Sequence, residues 1–415
     1  MTSEPRRDAP DAKPSWHILT GEYPPRPGGV ADYSASVARG LADAGETVHV
    51  WTADPASPQD GPAVEDGVTV HRRRGGWRPA DLARLGAALD ATAGPRRLLV
   101  QYAPPAWGRK GANLAFCRWL RGRRRRGEEI WTMIHEPYYP WRLRVKPTRW
   151  LLAAIQRVMM YHVFGASTRL FVSSYTFFER LRPYDPKRAR PMLWSPVPSN
   201  IPTRAAVDRA AVAEVRRRLA PDGRPLVGHF GTFGVTTNAG LRAILPELLA
   251  GGTDCHVLLA GRGGREYAAA LTADHPELAG RITTTGGLAP HAVAAHLSAC
   301  DLLIQPYHDG VSTRRGSVMA GLGLGLPIVT QQGINTESLW DESAAVRLVR
   351  NNREMIDAVE QLLADAPARE ALGRRALELY EQRFSVARAV ERLLHAAATT
   401  AGPSAQLVRE SNFVP

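Results

Sequence analysis

The sequence predicts an α/β protein made of two Rossmann-like, doubly wound halves. Three observations carry this. Short apolar runs alternate with stretches whose apolar residues recur at helical spacing, the pattern of parallel strands joined by crossover helices. The alternation stops once, at the proline-rich "PMLWSPVPSNIPTR" (191–204), which suits neither a central strand nor a helix. It then starts again and runs to about residue 397. These features divide the chain into a leader (1–14), a first domain (15–200), a second domain (201–385) and a C-terminal helix with a loose tail (386–415).

The first half opens on "WHILT" (16–20), closed by the loop "GEYPPRPGG". Val30, Tyr33, Val37 and Leu41 then mark a helix face, and "TVHVWTA" (47–53) alternates as a strand. Further strands are expected at 97–103, 129–135 and 169–174, with helices near 111–126 and 148–163. The second half repeats the scheme. Strands are expected at 225–231, 255–261, 281–286, 301–307 and 326–331, with helices near 237–250, 264–273 and 290–300. The stretch from 313 reads as a further helix that Gly325 ends, and three more helices follow at 353–365, 367–382 and up to 397. Ligands of such folds bind outside the carboxyl ends of the strands, and two sheets in tandem are expected to form a cleft there.

Composition narrows the classes. At 415 residues and 44% hydrophobic content, two ordinary domains with sizeable cores are expected. No run approaches the roughly 20 apolar residues of a spanning helix, and "MTSEPRRDAPDAKPSW" has no apolar signal core, so a cytoplasmic protein is expected. Cys117, Cys255 and Cys300 are too scattered for a metal motif or a disulfide framework. The formal charge of +13 is uneven. Residues 1–200 hold 31 Lys and Arg against 18 Asp and Glu, whereas 201–415 hold 22 of each. Eight of the ten tryptophans also precede residue 151. Such a half suits an anionic partner, such as a membrane surface or a phosphorylated acceptor. No groove-reading or RNA-binding module accompanies it, so nucleic acid is not expected.

"DGVSTRRGSVMAGLGLGLPIVT" (309–330) carries the most chemistry. It reads as loop, helix, glycine turn and strand, with Ser312 or Thr313 as N-cap and Arg314 and Arg315 in the first turn. A helix N-terminus attracts phosphate, and forked guanidinium donors match phosphate oxygens. A diphosphate is the economical ligand; the spacing alone fits a solvated arginine face equally well.

Seven stretches in order, "GEYPPRPGGVADYSASVARGLADAG…VHV", "VQYAPPAWGRKGANL", "TMIHEPY", "PVPSNIP", "LLAGRGG", "LSACDLLIQPY" and "GLPIVT", resemble glycosyltransferase family 4 over residues 16–397. The resemblance implies the GT-B fold and retaining transfer of a sugar from a nucleotide-diphosphate sugar, with no metal and no further cofactor. It implies a glycine loop at Gly28 and Gly29 for the donor phosphates or the acceptor, and His135 beside the donor sugar near the reacting centre. The helix N-terminus reading adds donor contacts at Ser312, Thr313, Arg314, Arg315 and Gly316, with Arg314 expected to act on the leaving diphosphate and Gly231 and Thr232 expected to give backbone and hydroxyl donors. There is no Asp-x-Asp pair to hold a divalent cation against a diphosphate.

Two departures stand out. The family's paired glutamates, eight positions apart, fall on Ser312 and Ala320. The Arg and Lys that usually follow the first strand of the second domain are missing from "GHFGTFGVTTNAG". Arg314 and Arg315 are expected to replace those cations. A second surface, with Tyr102, Trp107 and Arg109 on a loop, followed by "CRWLRGRRRRG" and "EPYYPWRLRVKPTRW", interleaves aromatic and basic residues. It is expected to receive the acceptor, be that a glycan, a lipid-linked saccharide or a small natural product, or to rest peripherally on lipid headgroups. A non-catalytic nucleotide-sugar-binding or scaffold protein of the same fold is the alternative, favoured by the missing glutamates.

Overall fold

Residues 13–54, 61–141 and 147–399 are described by the structure, a computed structural model of the chain. They form two units. Residues up to Ser195, together with those from Val390, make the first, and Pro196–Ala389 make the second.

The first unit contains an eight-stranded sheet: β1 (Ser15–Thr20), β2 (Val48–Ala53), β3 (Gly61–Glu65), β4 (Val68–Arg73), β5 (Arg96–Tyr102), β6 (Glu129–Ile134), β7 (Arg169–Val172) and β8 (Met192–Trp194). The strand order is β3-β4-β2-β1-β5-β6-β7-β8, and β3 alone runs antiparallel to its neighbour. β1 lies between β2 and β5, so the chain reverses its direction of winding on either side of it. The second unit contains six parallel strands: β9 (Leu226–Phe230), β10 (His256–Ala260), β11 (Ile282–Gly286), β12 (Leu302–Gln305), β13 (Ile328–Gln331) and β14 (Arg347–Val349). Their order is β11-β10-β9-β12-β13-β14, which puts the reversal between β9 and β12. Both sheets are therefore doubly wound, and each has a crossover at the carboxyl end of its first strand.

Periodicity explains the packing. Helix Leu114–Arg125 buries Phe116, Cys117 and Leu120 against Tyr102, Trp107 and Val100. Helix Val235–Ala250 buries Leu241, Ile244, Leu245 and Leu248 against Val227, Val257 and Ile304. Each group is a core of its own, as separately foldable units require.

Several elements differ from expectation. The β3–β4 hairpin turns on Asp66 and Gly67, both at positive φ (50° and 75°), as a two-residue Asp-Gly turn favours. Helices Pro79–Asp90 and Arg209–Leu219 fill stretches to which no element was ascribed. Met192–Trp194, inside the segment read as linker, adds an edge strand. Pro191 precedes it and Pro196, Pro198 and Pro202 follow it, and an edge strand is where proline is compatible with a sheet. The last helix, Val386–Ala398, starts in the second unit and finishes in the first. There Arg169 donates to the carbonyls of Ala396 and Thr399. Residues 1–12 of the expected leader and 400–415 of the expected tail lie outside the described residues.

Part of the basic, tryptophan-rich character of the first half is internal, although Arg124, Arg125 and Arg126 are exposed. Trp16, Trp107 and Trp131 are fully buried. Arg97 lies over the rings of Trp16 and Trp131, at 4.8 and 4.3 Å, and binds Glu129. Arg123, part of "RGRRRR", is buried between Asp90 and Glu128 instead of lying on a solvated face.

Candidate active site

At the crossover of the first sheet, β1 ends in Thr20, whose hydroxyl donates to the Glu22 carbonyl. Helix Gly29–Asp43 begins after the loop. A Cβ on Gly28 would lie 2.8 Å from the Glu22 carboxylate, the movable end of a flexible side chain. Gly29 is open, with nothing within 4 Å of such a Cβ. His135 follows β6 directly, and its N–H donates to the Tyr102 carbonyl. Its Nε2 lies 2.8 Å from Gln101 Oε1, and the Tyr33 ring meets the imidazole edge-on at 4.7 Å. Burial lowers the His135 pKa to about 3, so the ring is neutral at physiological pH. With Nε2–H given to Gln101, Nδ1 keeps the lone pair. Gly28, Gly29, Tyr33 and His135 thus gather at one strand-end region, and Arg72 of β4 donates to the Pro24 carbonyl in the same loop at 2.8 Å.

Tyr102 and Trp107 were expected on an exposed loop, and the structure corrects this. Both are fully buried in the core cluster, Tyr102 as the last residue of β5. Trp107 turns inward because its indole N–H donates to the Gln101 carbonyl at 3.0 Å and its ring stacks on Phe116. Arg109 belongs to a short 3-10 turn, and its side chain lies outside the described residues.

At the crossover of the second sheet, Gly231 and Thr232 follow β9, with Thr232 exposed. The β10 end passes so close that a Cβ on Gly261 would lie 2.0 Å from the Gly231 carbonyl. Only glycine fits there, and its φ of 131° is one that side chains disfavour.

The loop after β12 carries the two arginines. Arg315 bonds Asp309 and lies over the Tyr307 ring, 4.5 Å from its centroid. Arg314 is 4.0 Å from the other Asp309 oxygen. The expected N-cap is corrected. The helix spans Gly316–Gly323 with Arg315 as N-cap, and neither Ser312 nor Thr313 caps it. The cause is Glu337, which was not anticipated. Its carboxylate accepts from the Thr313 N–H at 2.6 Å and the Thr313 hydroxyl at 2.8 Å. Thr313 is thereby committed to a buried acid, and the chain needs one more turn, closed by Arg315 N–H to the Ser312 carbonyl, before the helix starts. Glu337 also accepts from the Trp340 indole at 3.3 Å. It lies 24 residues from Thr313, beyond β13, so no local spacing connects the two. Its only sequence signal is a lone acid in "GINTESLW" after a predicted strand.

The far end of this helix agrees with expectation. Leu326 N–H reaches the Gly321 carbonyl and Gly325 N–H the Leu322 carbonyl, with Gly325 at φ 68°. That is the paired-bond C-terminal stop for which glycine is suited.

Ser312, Thr313, Arg314, Arg315 and Gly316 are therefore one continuous segment at the reversal point, with two guanidinium groups ahead of a helix N-terminus. Arg314 and Arg315 are partly exposed, whereas Ser312 and Thr313 are buried. The arrangement can receive an anion. Among the described residues no group of three or more His, Cys, Asp or Glu is placed to hold a metal ion. No described helix is long and apolar enough to cross a membrane.

The two doubly wound sheets define the GT-B fold. Solved structures agree on this. Sucrose-phosphate synthase of Thermosynechococcus elongatus superposes with a TM-score of 0.66 at 18% identity, covering 93% of this chain and 100% of that one. WaaG, a glycosyltransferase involved in lipopolysaccharide biosynthesis, gives 0.61 at 14%, covering 93% and 100%. Anabaena HepE, solved with UDP and glucose, gives 0.61 at 15%, covering 94% and 100%.

More particularly, residues 241–395 match the family model described as "Glycosyl transferase-like". A curated relative, the alpha-D-kanosaminyltransferase of Streptomyces kanamyceticus, is 26% identical over 189 residues. That alignment covers 44% of this chain and 47% of the relative, about half its length. A glycosyltransferase-like domain on a GT-B fold supports a glycosyltransferase.

Proposed function

We propose that the protein is a divergent, retaining glycosyltransferase of family 4, which moves a sugar from a nucleotide-diphosphate sugar to a hydroxyl of a glycan, a lipid-linked saccharide or a small natural product. One observation carries the reading: Arg314 and Arg315 stand ahead of helix Gly316–Gly323 at the crossover of the second sheet. Breaking the anomeric C–O bond places negative charge on the leaving diphosphate. Guanidinium groups and helix N–H donors already aimed at that charge stabilise the transition state more than the ground state. Asp309 holds Arg315 and lies near Arg314. It keeps the pair ordered until a ligand with more negative charge competes for them. The acceptor proton passes to the departing phosphate oxygen, so neither a carboxylate nucleophile nor a metal is required. The neutral His135–Gln101 pair is suited to sugar hydroxyls. The kanosaminyltransferase makes amino-sugar donors sensible first probes alongside glucose donors.

Peripheral attachment to an anionic membrane at its cytoplasmic face belongs to the same reading. Its support is helix Pro147–Ala166, where Leu151, Val158 and Tyr161 are exposed at helical spacing and Arg121 lies 5.1 Å over the Tyr161 ring.

The test is Arg314→Ala, assayed for donor-dependent turnover. A loss of about 100-fold is expected for a charged donor aimed at the leaving group. An unchanged rate removes the assignment. The absence of acids at Ser312 and Ala320 favours a second reading, a binding protein without chemistry. Nucleotide-sugar binding with neither transfer nor hydrolysis across a panel of acceptors would select it.

A further inference from the structure

His229 is the next-to-last residue of β9, two positions before Gly231, and is 1% exposed. Its Nδ1 lies 3.0 Å from the Ile304 carbonyl. A carbonyl only accepts, so Nδ1 carries the proton and Nε2 is left as a lone pair. That Nε2 is buried with no hydrogen-bond partner. Unpaired buried acceptors are uncommon and costly, and they call for a reason.

The surroundings supply one. A Cβ placed on Gly231 would be 3.8 Å from His229 Nε2 and 3.9 Å from Ser317 Oγ, the two atoms within 4 Å outside the adjoining residues Phe230 and Thr232. The missing side chain of Gly231 therefore leaves a small space lined by an acceptor nitrogen and a hydroxyl. Ser317 lies in the first turn of helix Gly316–Gly323, and its hydroxyl is fixed by Tyr307 OH at 2.6 Å. Tyr307 in turn carries Arg315 on its ring face. The space thus adjoins the arginine and helix-end segment without being part of it.

Resting on the donor-site reading above, we propose that His229 is a specificity contact whose Nε2 accepts a hydrogen bond from one hydroxyl of the nucleotide sugar, beside Ser317. The chemistry excludes a phosphate oxygen at this spot, because a neutral imidazole lone pair repels an acceptor. Burial also opposes protonation, with the pKa lowered to about 4. A hydroxyl pairs with the lone pair at no charge cost. This recognition requires neither of the two glutamates that the chain lacks, and it selects ligands by a hydroxyl instead of by charge.

The experiment is calorimetric titration of the full chain with UDP-, GDP-, ADP- and dTDP-glucose. The best binder's monodeoxy sugar and 2′-deoxynucleoside analogues follow. His229→Asn is the variant, since its amide can keep the bond to the Ile304 carbonyl while removing the distal acceptor. One analogue is expected to bind wild type about tenfold more weakly than the parent, the worth of one hydrogen bond. The variant is expected to lose about the same factor for the parent and to show no further loss with that analogue.

Equal weakening of every ligand by the variant, or no weakening at all, would overturn the assignment while leaving the donor site standing. Proton uptake on binding, seen as an enthalpy that depends on buffer, would make His229 a cation and also overturn it. Failure of wild type to bind any nucleotide sugar, amino-sugar donors included, would overturn the donor-site reading and this inference together.

Discussion

The strand ends of the two units are alike in backbone and differ in where their charged side chains stand. Each sheet reverses beside its first strand, and each has a buried, neutral histidine next to the reversal: His135 against Gln101 in the first, His229 against the Ile304 carbonyl in the second. The second adds Arg314 and Arg315 after β12, with Asp309 between them. The first has Arg72 near the end of β4, paired with Glu65 and donating to the Pro24 carbonyl in the loop after β1, while other arginines pair with Glu128, Glu129, Asp90 and tryptophan faces. A shared scaffold therefore carries a guanidinium–carboxylate pair in each unit, Arg72 with Glu65 in the first and Arg315 with Asp309 in the second, and only the second places its arginines directly ahead of a helix N-terminus.

Acid should break the symmetry most strongly. A histidine held neutral below its ordinary pKa of about 6.5 contributes stability that is present at pH 7 and lost as the pH falls, because the unfolded chain then binds more protons. His135 and His17 in the first unit are both lowered to about 3, chiefly by burial, and His229 in the second to about 4. Between pH 7 and pH 5 each should lose about 2 kcal/mol, so the first unit is expected to lose roughly twice as much as the second. His71, half-buried and lowered to about 4, acts in the same direction. Tryptophan emission, which reports mainly the first unit, should show its melting temperature fall faster than amide exchange reports for β9 to β14. Equal losses would contradict the comparison.

Glu337→Ala should come next. It strips the acceptor from the Thr313 N–H and hydroxyl and from Trp340, and should cost the second unit about 3 kcal/mol by chemical denaturation. The first unit should be unaffected. Arg315→Ala should reduce donor-dependent turnover about 100-fold, comparable to removing one preorganised donor, while Arg97→Ala, in the first unit, should leave donor affinity unchanged and lower stability only. The smallest effect on folding belongs to Leu151→Ser on the exposed stripe. Its stability change should stay within about 0.5 kcal/mol, whereas cosedimentation with phosphatidylglycerol vesicles should fall. Undiminished sedimentation would detach the membrane from the proposal.

The fold was legible because strand and helix periods alternate so regularly, and because Gly325 marks a helix stop and the proline run marks the break between the two halves. The β3–β4 hairpin was less so. Its strands are short and polar, although "EDGV" holds the Asp-Gly pair that makes the turn. For the site, the arginines could be placed to within one turn of their helix. The error of three residues came from Glu337, a partner brought in by folding that no window around Thr313 contains. Tyr102 and Trp107 were misplaced because an aromatic residue beside a loop looks the same in sequence whether its ring faces solvent or core.

The last helix has a consequence for dissecting the chain. The polypeptide passes from one unit to the other after Ser195 and returns after Ala389, so the units are joined by two covalent threads. A fragment ending at Ser195 would expose the Arg169 guanidinium where Ala396 and Thr399 now receive it. Any attempt to produce the first unit in isolation therefore has to restore residues 390–399, by fusing them through a short linker or by supplying them as a separate peptide.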